Sequence, residues 1–193
     1  GCGVGGISEP TDSLNAGNSG TTARLLSGVL AARPFSSRIV GDVSLSRRPM
    51  GRVARPLSQM GATFTFDAGE GLPMNIGGGA LRGLTWFSET ASAQAKSAIL
   101  LAGYCGGVPV EVHEPALTRD HTERMMRARG VDVRSEGAVA TLLPAAPMRA
   151  TDVDIPGDPS SAAFFASLSA MSSGGDLTLT GVCANPTRVG AFR

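Results

Sequence analysis

The sequence predicts an α/β protein assembled from repeated units, and three observations lead there. Along 193 residues one pattern returns three times: a polar helix start, an apolar helix, a Gly/Pro/Ser break, an alternating strand, and a polar loop with arginine. The interval from helix-start serine to loop arginine is nearly constant, at 28 residues for Ser19–Arg47, 27 for Ser92–Arg119 and 28 for Ser160–Arg188. In the first two copies the arginine loop leads into a second helix closed by glycine, a common C-terminal signal, and then into another alternating strand. Repeats of this length are supersecondary modules that complete a core only when stacked.

The first copy opens at Asn18-Ser19-Gly20-Thr21, continues as the apolar run "ARLLSGVLAA", breaks at "RPFSS" and extends through "RIVGDVSLSRRP". Its second helix is "PMGRVARPLSQMG", ending at Gly61, and its next strand is "ATFTF". The segment "LPMNIGGGALRGLTWF" reads as a hairpin-like strand pair between copies. The second copy runs from Ser92-Ala93-Gln94 through "AKSAILLAGYC", "GGVP" and "VEVHEPALTRD" to the helix "HTERMMRARG", ending at Gly130, and the strand "VDVRS". The third starts at Asp158-Pro159-Ser160-Ser161 and runs through "AAFFASLSAM" and "SSGGD" to "LTLTGVCANPTR", an expected strand and arginine loop.

Composition narrows the function. With 42% hydrophobic residues the chain can bury a substantial core, and a formal charge of +1 argues against a general nucleic-acid or polyanion binder. Lys96 is the only lysine and the other sixteen basic residues are arginines, which suit bidentate recognition of carboxylate and phosphate. Cys2, Cys105 and Cys183 are too scattered for a disulfide framework or a zinc site, and His113 and His121 lack metal-ligand spacing. A metal-free cytoplasmic protein is expected. No apolar run has the length of a membrane span, and no signal-peptide pattern is visible. A start at Gly1 and an end at Arg193 suggest a piece of something longer.

The motif "GNSGTTARLL" places glycine, hydroxyls and an arginine at the mouth of a helix, where backbone N–H groups and the dipole collect anions. Arg47-Arg48-Pro49 sets two cations just before a helix, where the dipole disfavours them unless an anion, or the nearby Asp42, neutralises them. In "TRDHTE", Asp120 and Glu123 fit a capping box, leaving Arg119 outside the helix and able to reach a ligand. Ser92 and Gln94 offer a hydroxyl and an amide to a polyol or ring. Asp158-Pro159 reads as a structural helix start. If the units surround a pseudo-symmetry axis, these features converge on one face able to hold a ligand with more than one anionic group.

Five motifs in order, "GNSGTTARLL", "GDVSLSRRPMGRV", "SAQAKSAILLAG", "EPALTRDHTERM" and "DIPGDPSSAAFF", resemble the 5-enolpyruvylshikimate-3-phosphate (EPSP) synthase family, with wording closest to its bacterial class II form. The resemblance implies the enolpyruvyl transferase fold, two lobes each of three βαβαββ units, and transfer of enolpyruvyl from phosphoenolpyruvate to the 5-hydroxyl of shikimate-3-phosphate without metal or organic cofactor. It implies that Ser92, Ala93, Gln94 and Arg119 hold shikimate-3-phosphate, with Ala93 standing where some members have serine. It implies that Arg48 grips phosphoenolpyruvate, that Gln94 is shared with it, and that Asn18, Gly20 and Thr21 line the phosphoenolpyruvate and glyphosate pocket. Glycine at Gly20 implies a glyphosate-sensitive pocket, because alanine there crowds the inhibitor in resistant members. The family's acid/base residues and its early Lys-Ser-x-x-x-Arg segment have no match in this chain, so no catalytic residue is assigned.

By the same mapping, residues 1–153 form most of the first lobe and 154–193 the first fragment of the second, with a hinge near Val153–Pro156 and a monomeric parent. Asp158 is not the family's catalytic aspartate. A UDP-N-acetylglucosamine enolpyruvyl transferase and a non-catalytic anion-binding repeat module remain as alternatives. The third unit, without neighbours, should expose "AAFFASLSAM" and promote association, so that removing 155–193 improves solubility.

Overall fold

The computed structural model describes residues 3–144 and 146–192, so Cys2 and Arg193 lie outside the described residues. The chain divides into two compact units at Arg149/Ala150. The first contains two copies of one motif. The earlier copy runs β1 (Leu14–Asn15), α1 (Gly20–Ala31), β2 (Ser36–Val40), a one-turn α2 (Val43–Ser46), α3 (Gly51–Met60), β3 (Thr63–Phe66) and β4 (Met74–Gly77). The later copy runs β5 (Leu84–Phe87), α4 (Ala93–Gly106), β6 (Val110–His113), α5 (His121–Ala128), β7 (Asp132–Glu136) and β8 (Val139–Leu143). Setting aside α2, each is βαβαββ. Strand orders are β1-β2-β4-β3 and β5-β6-β8-β7, with the first pair parallel and the others antiparallel in both. The repeated α/β architecture is therefore present.

Leu72–Phe87 is not a hairpin, contrary to the sequence expectation. β4 pairs with β2 and β3 in the first sheet, whereas β5 pairs with β6 in the second. The two strands are equally short and alternate equally well. The deciding feature is the helix after β5: a strand followed by a crossover helix pairs in parallel with the strand beyond it. Between them Gly78 lies so close to α1 that a Cβ there would stand 2.3 Å from the carbonyl oxygens of Leu30 and Arg33.

Each sheet turns one face inward. Ile39, Met74 and Ile76 are buried from the first; Val110, Val112, Val133, Ala140 and Leu142 are buried from the second, following the period-two rule. These faces and those of α1, α3 and α4 share one core with Leu45, Met50, Val53, Leu57, Ile99 and Leu100. α1 and α4 run parallel side by side. Thr21 meets Gln94 at their N-terminal ends, and Arg33 donates to the Cys105 carbonyl, at 2.7 Å, at the other. Contact is backbone-close midway, where a Cβ on Gly28 would stand 2.1 Å from the Ala98 carbonyl oxygen.

The second unit holds α6 (Pro159–Met171), started by Asp158, whose side chain accepts from the Ser160 N–H at 3.0 Å, with proline in the first turn. The strand expected in "LTLTGVC" is not formed among the described residues. A single parallel bridge, Gly157 to Val182, stands in its place. One short strand with no sheet beside it has too few ladder bonds to hold its shape.

Candidate functional site

The N-terminal ends of α1 and α4 form the candidate site. Neither is capped by a carboxylate. Ser19 caps α1 by accepting from the Thr22 N–H at 3.1 Å, and Ser92 caps α4 by accepting from the Ala95 N–H at 3.3 Å. Two helix ends with uncompensated N–H dipoles therefore lie together, a setting that favours anions.

Gln94 joins the two copies. Its Nε2 donates to Thr21 Oγ1 at 2.7 Å, and its Oε1 accepts from Arg24 at 2.8 Å. Arg24 also donates to the Pro49 carbonyl at 3.2 Å, which ties α1 to the Arg48–Pro49 turn. Arg48 donates to Asn18 Oδ1 at 3.0 Å. A Cβ on Gly20 would stand 2.8 Å from Arg24 Nη1, too close without a shift of that guanidinium, and 3.6 Å from Arg48 Nη1, an ordinary contact. Asn18, Gly20, Thr21, Arg48 and Gln94 are thus brought together, as the motifs suggested.

A hollow beside Gln94 is lined by residues that include Thr21, Ala93, Gln94, Ser97, Arg119 and Thr122. Ser92 lies in an adjoining hollow with Arg52, Arg55 and Ser88. Arg119 is exposed on the loop after β6, beside the α4 start.

The charge balance is one-sided. Arg24, Arg48 and Arg119 have no carboxylate within salt-bridge distance among the described residues. Burial pushes the Arg24 guanidinium below its usual pKa, and the charges of Arg52 and Arg48 push it further. An anion placed here relieves repulsion that the protein itself leaves in place.

Asp42 does not neutralise Arg48 directly. It caps α2, accepting from the Leu45 N–H at 2.7 Å, and accepts from Asn18 Nδ2 at 2.6 Å. The Asn18 bond is the main cause of its lowered pKa, the Leu45 N–H adds to it, and the Arg48 charge contributes less. Asn18 thus hands one end of its amide to Asp42 and the other to Arg48. The stretch expected as a plain loop after β2 contains this capped turn.

The capping box at α5 is also corrected. Asp120 makes no side-chain cap bond; it accepts from Arg124 at 2.8 Å. Glu123 is instead buried, paired at 2.8 Å with Lys96. A buried ammonium outcompetes a backbone N–H at the helix start for the carboxylate, because leaving the ammonium unpaired is far more costly.

Two further residues matter here. Arg24, which orients the Gln94 amide, was present in the opening motif, and its spacing to Gly20 (i, i+4) was the available signal. Lys96, which pairs with Glu114 and Glu123, was recognisable as the lone lysine inside an apolar helical run. Burial alone lowers its pKa, but hydrogen bonds to Glu114 and Glu123 outweigh that and hold it above the usual lysine value.

In the second unit, Arg188 closes back on the helix start, donating to Asp158 and Ser160 Oγ at 2.8 Å each. Here a carboxylate occupies the place beside the loop arginine. Among the described residues no acidic side chain caps the helix or stands in its first turn at Ser19 or Ser92, which sets the first two copies apart. Among the described residues no group of three or more His, Cys, Asp and Glu side chains could hold a metal ion, and no helix is long and apolar enough to cross a membrane.

The sequence model of EPSP synthase (3-phosphoshikimate 1-carboxyvinyltransferase) matches residues 3–193. A 3-phosphoshikimate 1-carboxyvinyltransferase of Geobacillus kaustophilus is 49% identical over 191 residues, covering 98% of this chain and 45% of the relative. One from Desulfitobacterium hafniense is 50% identical over 183 residues, covering 94% and 42%. The solved EPSP synthase of Acinetobacter baumannii superposes with a TM-score of 0.89 at 46% identity, covering all of this chain and 44% of that one. The chain spans a little under half the length of these relatives. With the family model matched over residues 3–193, relatives at about half identity and a solved structure of the same fold, the chain belongs to the EPSP synthase family.

Proposed function

We propose that this chain is part of an enzyme that transfers the enolpyruvyl group of phosphoenolpyruvate to the 5-hydroxyl of shikimate-3-phosphate. In that reaction the hydroxyl oxygen adds to C2 of phosphoenolpyruvate while its methylene carbon takes a proton. Elimination from the tetrahedral adduct then expels phosphate and restores the double bond. The chain contributes binding groups rather than the acid and base. Asn18, Gly20, Thr21 and Arg48 form the phosphoenolpyruvate side, which also admits glyphosate. Ser92, Ala93, Gln94 and Arg119 form the shikimate-3-phosphate side. Residues 1–153 serve as most of one lobe and 154–193 as the beginning of the other, in a monomeric cytoplasmic enzyme of aromatic amino acid biosynthesis.

The observation that supports this most is the Gln94 bridge. It links two helix mouths, each with an arginine that has no carboxylate partner among the described residues, so two anions bound there would be held side by side. The sister reaction on UDP-N-acetylglucosamine is set aside because the match is to the EPSP synthase family across the chain. Titration of the chain with shikimate-3-phosphate, followed by amide NMR shifts, tests the reading. Saturable shifts around Ser92–Gln94 and Arg119 are expected. A well-dispersed spectrum that ignores the ligand overturns it in favour of a non-catalytic module.

A further inference from the structure

Arg119 is exposed, and among the described residues no salt bridge holds it. Its place is set by what flanks it. Thr118, just before it, donates to Glu114 with both carboxylate oxygens 2.8 Å away. Glu114 follows β6, where its backbone N–H is bonded to the Ala138 carbonyl at 2.9 Å, so this end of the loop is fixed to the sheet. Four residues beyond Arg119, Glu123 stands in the first turn of α5. Both carboxylates converge on Lys96 of α4, whose Nζ lies 2.8 Å from each, and the three side chains are 2–4% exposed. Ser97, beside Lys96, shares a 2.7 Å hydrogen bond with Thr122, beside Glu123.

We infer that Lys96 is a positioning residue for Arg119, an assignment that rests on the functional reading above. α4 carries Ser92 and Gln94 at its start and Lys96 one turn later. The ammonium draws both ends of the Glu114–Glu123 segment onto that same helix, and so sets the distance between the Arg119 guanidinium and the Ser92/Gln94 groups. Two carboxylates on one ammonium make the arrangement conditional on the lysine. Without it they face each other in a buried place, and the loop must open to hydrate them. Glu123 Oε2 has no hydrogen-bond partner among the described residues, so Glu123 is held through Oε1 and Lys96 alone. The phosphoenolpyruvate side has separate supports in Arg24, Pro49 and Asn18, and the inference predicts that it is unaffected.

The test uses the 193-residue chain, its Lys96→Met variant and the milder Glu114→Gln variant, which keeps the Lys96–Glu123 pair. Each is titrated with shikimate-3-phosphate and, separately, with phosphoenolpyruvate, with amide resonances as the readout. In the variants Thr118–Asp120 resonances should shift or broaden. The shikimate-3-phosphate dissociation constant should rise at least about tenfold, the scale of one misaligned charge-assisted hydrogen bond. The phosphoenolpyruvate midpoint read at Asn18 and Gly20 should stay within about twofold, a split that general loosening would not produce. A folded variant with the parent's loop resonances and shikimate-3-phosphate midpoint overturns the role of Lys96. So does loss of the dispersed spectrum in both variants, since the cluster would then be a folding requirement. A parent chain that gives no shikimate-3-phosphate shifts overturns the functional reading itself.

Discussion

At Arg48 and Arg119 the guanidinium groups have no carboxylate partner among the described residues, and each should report a different ligand. Arg48→Ala is expected to weaken phosphoenolpyruvate binding by about 1.5–3 kcal/mol, the range for a charge-assisted hydrogen bond, and Arg119→Ala to weaken shikimate-3-phosphate binding similarly. Titration of both variants with both ligands checks this; equal affinities in variant and parent would remove these residues from the site. Gly20→Ala places a methyl 2.8 Å from Arg24 Nη1, the far end of a flexible side chain, so the fold should survive while the anion pocket narrows. The expected result is a weaker response to glyphosate with little change for shikimate-3-phosphate. Most of these residues were legible in the sequence because each breaks a local rule, cations before a helix or glycine in its first turn. The functions of Asp42, Asp120 and Glu123 were not, because a carboxylate near a helix start suits a cap, an ion pair or a ligand equally well. Only the three-dimensional positions of Asn18, Arg124 and Lys96 decide among them.

Between elements, two contacts decide how the copies fit. α1 meets α4 through Gly28, so Gly28→Ala should force the helices apart and cost about 1–3 kcal/mol, as overpacking generally does. The Thr21–Gln94 bond should weaken with it, and urea denaturation measures the loss. Lys96 locks α4 to α5, and Lys96→Met should cost about 3–5 kcal/mol because two buried carboxylates lose their counter-charge. The pH dependence follows from the raised Lys96 pKa. The folded state binds this proton more tightly than the unfolded chain, so the contribution is complete below about pH 10.4 and disappears as pH rises through the folded value. Denaturation midpoints measured upward from pH 9 should show that loss in the parent and not in Lys96→Met. Every helix except the one-turn α2, and most strands, could be anticipated from period and glycine punctuation. Pairing could not: β4 and β5 are adjacent, short and alternating, and only the crossover through α4 assigns them to separate sheets.

For the molecule as a whole, the two units differ in how far each completes its own interior. In Gly1–Arg149 the two βαβαββ copies share one continuous core. Its last residues are tied in, with the Met148 N–H donating to Tyr104 Oη at 2.7 Å and the Arg149 N–H to the Arg129 carbonyl at 2.9 Å. Among the described residues of Ala150–Arg193 the helix forms but no sheet does, and Phe164, Phe165, Leu168 and Met171 are 79%, 61%, 65% and 85% exposed. Each such side chain forgoes about 1.5–3 kcal/mol of burial, so the 193-residue chain taken by itself should self-associate through this helix. A chain ending at Arg149 should therefore be more soluble and sediment as a smaller species than the 193-residue chain at equal concentration. It should also keep a dispersed amide spectrum and the Arg48 and Arg119 titrations. Loss of solubility or of dispersion on truncation would mean that the first unit depends on the second. A change in sedimentation with no change in ligand response would locate association in the exposed helix and binding in the paired copies.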